Sequence, residues 1–386
     1  MFRLIKNGEL FSPDPSGRKD ILLSAGKIAA VGENIEASIS HCEIDVIDAS
    51  NHLVVPGFID CHVHLTGGGG EGGFTTRTPE IMLSDITMSG VTTVIGCLGT
   101  DGFTRSMQSL IAKAHGLSSE GVSTFALTGS YQLPVRTLTG SITQDIMMID
   151  KVIGVGEIAV ADHRSSQPEA CEIAKVAAEA RLGGMLSGKA GIVNIHMGNG
   201  NEKLEKLEWI VTHTEIRADQ FLPTHINRNR NLLEAGLEWV RNGGYIDLTA
   251  DGGDTELSCQ KSLKFLLESG ARVEAVTCSS DGQGSLPIFD GNGKLLRMEV
   301  GKVSALHQAF RKAVKNERLP VQTALRSITS SPASIYCLHG KGRIAPFYDA
   351  DIVLLNRQTL EVDTVISGGI VMVKAGTAIS KGTFEG

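Results

Sequence analysis

His62 and His64 stand two residues apart within Gly57–Leu65, an apolar run of strand length. On an extended strand that spacing puts both side chains on one face. Two imidazoles in an apolar layer are short of hydrogen-bond partners. A metal ion satisfies their ring nitrogens directly, and imidazole suits a borderline ion such as zinc. A hydrogen-bonded pair of core histidines is the other reading of this spacing. Four more groups sit at the ends of similar runs: Glu157 in Val152–Val160, His196 in Gly191–Met197, His225 in Phe221–Ile226, and Asp281 just past Glu274–Ser279. Taken singly, His196 and His225 read as ordinary histidines, and Asp281, before Gly282, as a helix cap. Taken together, four imidazoles and two carboxylates at matching strand ends read as a metal centre.

The elements that must position these groups alternate along the middle of the chain. The strand-length runs number eight, with Thr92–Leu98, Ser123–Thr128 and Tyr245–Thr249 completing the set. Amphipathic stretches lie between most of them, including Leu204–Val211, Asn231–Asn242, Leu257–Glu268 and Val303–Lys315. Thr78-Pro79-Glu80 reads as the start of a helix over Ile81–Ser89, because proline's missing N–H costs nothing in a first turn. Fully apolar strands alternating with helices predict a parallel (β/α)₈ barrel, whose active site lies at the C-terminal strand ends. Both chain ends instead read as short strands separated by turn residues, as in Lys27–Val31 and Val362–Ile366. The expected division is therefore a barrel over 56–340 and a small discontinuous β-sandwich domain from 1–55 and 341–386.

Bulk properties bound the function. The 386 residues suffice for a barrel plus a smaller companion. The 45 glycines suit many tight turns, and a formal charge of −7 argues against nucleic-acid binding. No run approaches the ~18 apolar residues of a membrane span. The amino terminus lacks the apolar core of a signal peptide. Seven cysteines, odd in number and never spaced Cys-x-x-Cys, read as reduced thiols of a cytoplasmic protein.

The sequence resembles the amidohydrolase superfamily in Val55-Pro56-Gly57-Phe58-Ile59-Asp60-Cys61-His62-Val63-His64, the later single histidines and the final aspartate. Within it the chain is most similar to the isoaspartyl dipeptidase family. That likeness is carried by Gly67-Gly68-Gly69-Gly70-Glu71, Leu98-Gly99-Thr100-Asp101, Asp162-His163-Arg164-Ser165, Pro223-Thr224-His225-Ile226-Asn227-Arg228-Asn229 and Ser279-Ser280-Asp281-Gly282-Gln283-Gly284-Ser285. It covers essentially the whole length. The resemblance implies two divalent metals, with zinc the expected ion: His62 and His64 on one, His196 and His225 on the other. Asp281 would hold the first metal and a bridging hydroxide, and act as general base and then acid. Tyr131 would polarise the scissile carbonyl. The family commonly bridges its metals with a carboxylated lysine. No lysine stands in Val152–Ile158, which holds one extra residue, and Glu157 is the expected substitute. Its shorter side chain calls for a bulge beside Gly154 or Gly156. A single-metal site, or a Glu157 that only hydrogen-bonds, are the alternatives.

An isoaspartyl dipeptide carries one ammonium and two carboxylates. Glu71 suits the ammonium, and Arg164 and Arg228 suit the carboxylates through bidentate pairing. Thr100 and Ser285 would add hydrogen bonds. The segment Tyr131–Thr137 reads as a loop able to close over substrate. The resemblance also implies a homo-oligomer. Other amidohydrolase reactions (cyclic amide hydrolysis, N-acyl amino acid deacylation, deamination) and a non-catalytic barrel scaffold are the competing readings.

Overall fold

A computed structural model of the protein describes residues 2–36, 43–289 and 295–386. Its centre is a set of parallel strands, here β1 (Phe58–Val63), β2 (Val91–Gly96), β3 (Ser123–Thr128), β4 (Val152–Val160), β5 (Ile192–Met197), β6 (Phe221–Thr224), β7 (Ile246–Thr249) and β8 (Val276–Ser279). Strands β1 to β6 form one continuous parallel sheet, and β7 and β8 form a second parallel pair. The end of β8 returns to β1, where the His64 N–H donates to the Gly282 carbonyl at 2.8 Å. Most of these strands are buried throughout. Residues such as Ile95, Leu127, Ile153, Ile192 and Leu222 form an inner cluster. A larger cluster, including Val94, Leu110, Ile173, Val193 and Leu237, packs the strands against helices. Burial on both faces is what the uninterrupted apolar runs required.

Both chain ends join one sheet of nine strands, in which Leu53–Pro56 pairs with Ile352–Leu355 and lies beside Glu9–Leu10. It has its own core, containing Ile5, Ile21, Ile28, Val54, Ile352 and Ile366. Lys341, with a side chain only 6% exposed, pairs there with Asp351 (2.5 Å) and Asp349 (2.8 Å), and donates to Ser123 Oγ on β3 (2.6 Å).

Two local expectations differ. The helix read from Thr78-Pro79 begins later, at Leu83, and ends at Thr87. The reason is tertiary competition: Thr78 N–H donates to Gly68 O and Ile81 N–H to Leu65 O, which holds the proline turn as a loop. A hairpin that sequence patterning missed follows β8, pairing Ser285–Phe289 with Leu295–Val300. No helix among the described residues is long and apolar enough to cross a membrane.

Candidate active site

The groups expected at the strand ends converge. On β1, His62 Nε2 lies 3.3 Å from Glu157 Oε2 and 3.8 Å from Asp281 Oδ1. His64 Nε2 lies 3.0 Å from Asp281 Oδ1 and 3.6 Å from Glu157 Oε1. On the other side, Glu157 Oε2 is 3.0 Å from His196 Nδ1 and 3.7 Å from His225 Nε2. Glu157 therefore stands between a His62–His64 pair and a His196–His225 pair.

The backbone explains its reach. Between Val155 and Ile158, β4 spends one more residue than β5 does between Val193 and Ile195, so a bulge lies at Gly156–Glu157. Gly156 has φ +141°, and a Cβ there would sit 2.6 Å from the Asn194 carbonyl oxygen. Only glycine fits that approach. His225 and Asp281 also adopt left-handed φ values of 62° and 51°. Such conformations cost roughly 1–3 kcal/mol each in non-glycine residues and gather at functional sites.

These donors fit metal ions. Glu157 Oε1, Asp281 Oδ1 and His62 Nδ1 are buried without a hydrogen-bond partner, although Asp281 Oδ1 is 3.0 Å from His64 Nε2. Tetrahedral coordination at 2.0–2.3 Å separates ligand atoms by about 3.3–3.8 Å, and most of the spacings above fall there. Burial opposes the charge of His62 and His64, but Cys97 and the facing carboxylates hold both well above the usual imidazole range, so a metal must displace their protons. Glu157, Asp281 and His225 are already in the states that ligation needs. Burial opposes the charge of Glu157, but the His62 and His196 imidazoles outweigh it and hold the carboxyl well below the usual range. Asp281, equally opposed by burial, is brought down to about 2 by its hydrogen bond to His64 and the nearby histidines. Burial, with the nearby His196 ring and Arg228 adding to it, lowers His225 to about 3, which leaves a neutral imidazole able to ligate. Its Nδ1 faces Thr249 Oγ1 at 2.6 Å, which fixes the ring.

Above these groups opens a cleft of about 1060 Å³. Glu71 sits on its wall at the centre of a polar cluster. Its Oε1 accepts from Thr100 Oγ1 (2.9 Å) and Arg164 (3.2 Å), and its Oε2 from Ser285 Oγ (3.1 Å). Arg228 lines the same cleft, and among the described residues no carboxylate forms an ion pair with it. Tyr131, buried, places its hydroxyl 2.8 Å from His196 Nδ1. The segment after it is tied to the Arg164 turn: Gln132 Nε2 donates to the Arg164 carbonyl and Leu133 N–H to Ser166 Oγ. Every site residue read from the sequence thus lies in or directly beneath this cleft.

Two residues near the centre escaped the sequence reading. Asp162 grips Arg164 with both oxygens (2.9 and 2.8 Å) and lies 3.2 Å from His196 Nε2. Arg164 is itself 3.1 Å from that nitrogen, which can serve one of them: an N–H seeks the carboxylate, a bare nitrogen the guanidinium. Cys97, just past β2, lies 3.6 Å from His62 Nε2.

Imidazoles and carboxylates meeting at the ends of parallel strands define a site of the amidohydrolase class. The amidohydrolase family model matches residues 257–372. The chain is similar to the beta-aspartyl dipeptidase of Fervidobacterium islandicum AW-1 in complex with beta-Asp-Leu dipeptide, at 49% identity and a TM-score of 0.93, covering 98% of this chain and 97% of that one. A second structure of that dipeptidase gives 47% identity and a TM-score of 0.90, over 98% of each chain. The chain belongs to the amidohydrolase superfamily and, within it, to the family of the beta-aspartyl dipeptidases. Dihydropyrimidinase from Brevibacillus agri NCHU1002, at 15% identity over 99% of this chain and 97% of its own, shares the fold with a TM-score of 0.68. Among curated sequences, a dihydroorotase of Staphylococcus epidermidis is 38% identical over 91 residues, 20% of this chain. That match spans about a fifth of the dihydroorotase, 21% of its length.

Proposed function

We propose that this protein is a metal-dependent dipeptidase that hydrolyses the amide bond of isoaspartyl dipeptides. The observation that carries the reading is the position of Glu157, midway between two histidine pairs, beneath a cleft bearing Glu71, Arg164 and Arg228. His62, His64 and Asp281 would hold one divalent ion and His196 and His225 another, with Glu157 shared between them and zinc the favoured metal. Such ions supply the Lewis acidity that lets water act as a nucleophile near neutral pH.

The chain's own residues do the rest. Asp281, ionised and facing the cleft, takes the proton of the attacking water and delivers it to the departing amine. Tyr131 donates a hydrogen bond to the scissile carbonyl oxygen as negative charge develops there. Glu71 binds the substrate ammonium, with Thr100 and Ser285 holding its carboxylate in place. Arg164 and Arg228 bind the two substrate carboxylates. The Tyr131–Thr137 loop screens the reaction from water.

At the level of architecture, we read β1 to β8 as a closed (β/α)₈ barrel over 56–340. The sheet of 1–55 and 341–386 is read as a sandwich folded around Ile5, Ile21 and Ile352. Exposed Met148, Met185 and Leu186 on the packed helices Ile142–Met148 and Ala170–Ser187 support a homo-oligomer. A cytoplasmic setting suits the free thiols of all six described cysteines.

Turnover of β-aspartyl-leucine, compared with dihydroorotate and N-acetyl amino acids, tests the function. The expected result is a kcat/KM for the dipeptide at least about 100-fold above the others, since unpaired buried charges reject the wrong ligand strongly. Preference for dihydroorotate would overturn the assignment in favour of cyclic amide hydrolysis.

A further inference from the structure

Cys97 is fully buried where β2 ends, and its neighbours are unusual for a core thiol. Its Sγ is 3.6 Å from His62 Nε2 and 3.9 Å from His64 Nδ1. The other polar contact is the Val63 carbonyl, at 3.8 Å. The ligand atoms of His62, His64, Cys97 and Glu157 all lie within 4.8 Å of one another. Glu157, whose Oε1 is buried without a hydrogen-bond partner, belongs to this group. Cys61, next to His62 on β1, is also buried but faces Asp247 instead, at 3.6 Å. Burial alone therefore does not bring a thiol of this chain to the histidines.

We propose that Cys97 is a further protein ligand of the ion held by His62 and His64, bound through Sγ as a thiolate. The inference rests on the metal-dependent reading above and deepens it. Two imidazoles and one thiolate, with the Glu157 and Asp281 carboxylates already assigned to this ion, form a donor set of the nitrogen, sulfur and oxygen kinds that zinc and cobalt accept. As the sulfur–metal bond forms, the thiol proton passes to solvent, so affinity rises with pH. A sulfur donor also sets the metal preference. Zinc-like ions are favoured over magnesium or manganese, which prefer oxygen. Where the related family places a carboxylated lysine, this chain then supplies anionic charge from two residues, Glu157 and Cys97.

The test loads the full-length protein with Co²⁺ in the absence of substrate and records its absorption spectrum. A sulfur-to-cobalt charge-transfer band in the near ultraviolet is expected, and its loss in C97S. Chelator competition should show cobalt held at least about tenfold more weakly by C97S, since even indirect partners of metal ligands are worth that much. Wild-type protein that binds two equivalents of cobalt without the band overturns the proposal while leaving the dipeptidase reading intact. So does a C97S variant that keeps both band and affinity, which would trace the band to exposed Cys171 or Cys337. Wild-type protein that takes up no cobalt overturns both.

Discussion

Asp162 Oδ2 lies 3.2 Å from His196 Nε2, while the other nitrogen of that ring, Nδ1, faces Glu157 Oε2 at 3.0 Å. A carboxylate behind a ligating imidazole fixes its tautomer and raises its basicity. The same carboxylate clamps Arg164, so one side chain would align both a proposed metal ligand and a proposed substrate-binding group. Asp162→Asn keeps the shape but removes the charge. It should weaken binding of one metal equivalent by about 10–100-fold, measured by chelator competition, and raise KM through a looser Arg164. Unchanged affinity for both equivalents would show that Nε2 is served by Arg164 and not by Asp162.

Glu157 is the most exacting position. Glu157→Ala removes the group common to both histidine pairs and should reduce bound metal to one equivalent or fewer, with kcat/KM down at least about 100-fold. Glu157→Lys should not restore either. The bulge at Gly156 brings the backbone close enough for a glutamate, and a lysine carbamate, three atoms longer, overshoots. Metal analysis of both variants beside wild type decides it; full activity with two metals in the alanine variant would refute the shared-ligand role.

Much of this arrangement was legible in the sequence, for a definite reason. Strands such as Val152–Val160 and Ile192–Met197 fall where the apolar runs placed them, because a strand buried on both faces must be mostly apolar. The chemistry was equally visible where a polar residue interrupted such a run, as Glu157 and His196 do. Cys97 gave no such signal, since a cysteine on an apolar strand looks like any other core residue. Asp162 stood in a motif that was noted, but its role depends on folding back toward His196, 34 residues away, which no local pattern encodes. The loop at Pro79 was missed because its competing partners, Leu65 and Gly68, lie more than a helical turn upstream.

Arg228 offers a test of charge recognition. It lines the cleft without an acidic partner among the described residues, whereas Arg164 is already shared between Asp162 and Glu71. Arg228→Gln should raise KM for β-aspartyl-leucine about tenfold or more, with kcat less affected, because the lost contact serves ground state and transition state alike. A variant that loses kcat at unchanged KM would place Arg228 in transition-state stabilisation instead of substrate binding.

Lys341 connects the chain-end sheet to β3 and predicts a pH dependence of stability. Burial opposes its charge, but Asp351 and Asp349 outweigh that and raise its pKa above the usual lysine value. A raised base contributes stability that is fully present below its unfolded pKa of about 10.4 and is lost as pH climbs through the higher folded value. Asp349 behaves inversely: burial opposes its charge, Lys341 and Lys27 depress its pKa, and its contribution is present above about pH 3.9 and lost on acidification. The cluster is thus most protective between about pH 4 and 10. Lys341→Met leaves Asp351 buried without its cation and should cost roughly 3–5 kcal/mol at neutral pH. The variant should also lose the alkaline fall in stability that this lysine causes, so the gap from wild type should narrow above about pH 10.4 in denaturant titrations. A gap constant across that range would mean that packing of the lysine stem, and not its charge, joins the two parts of the chain.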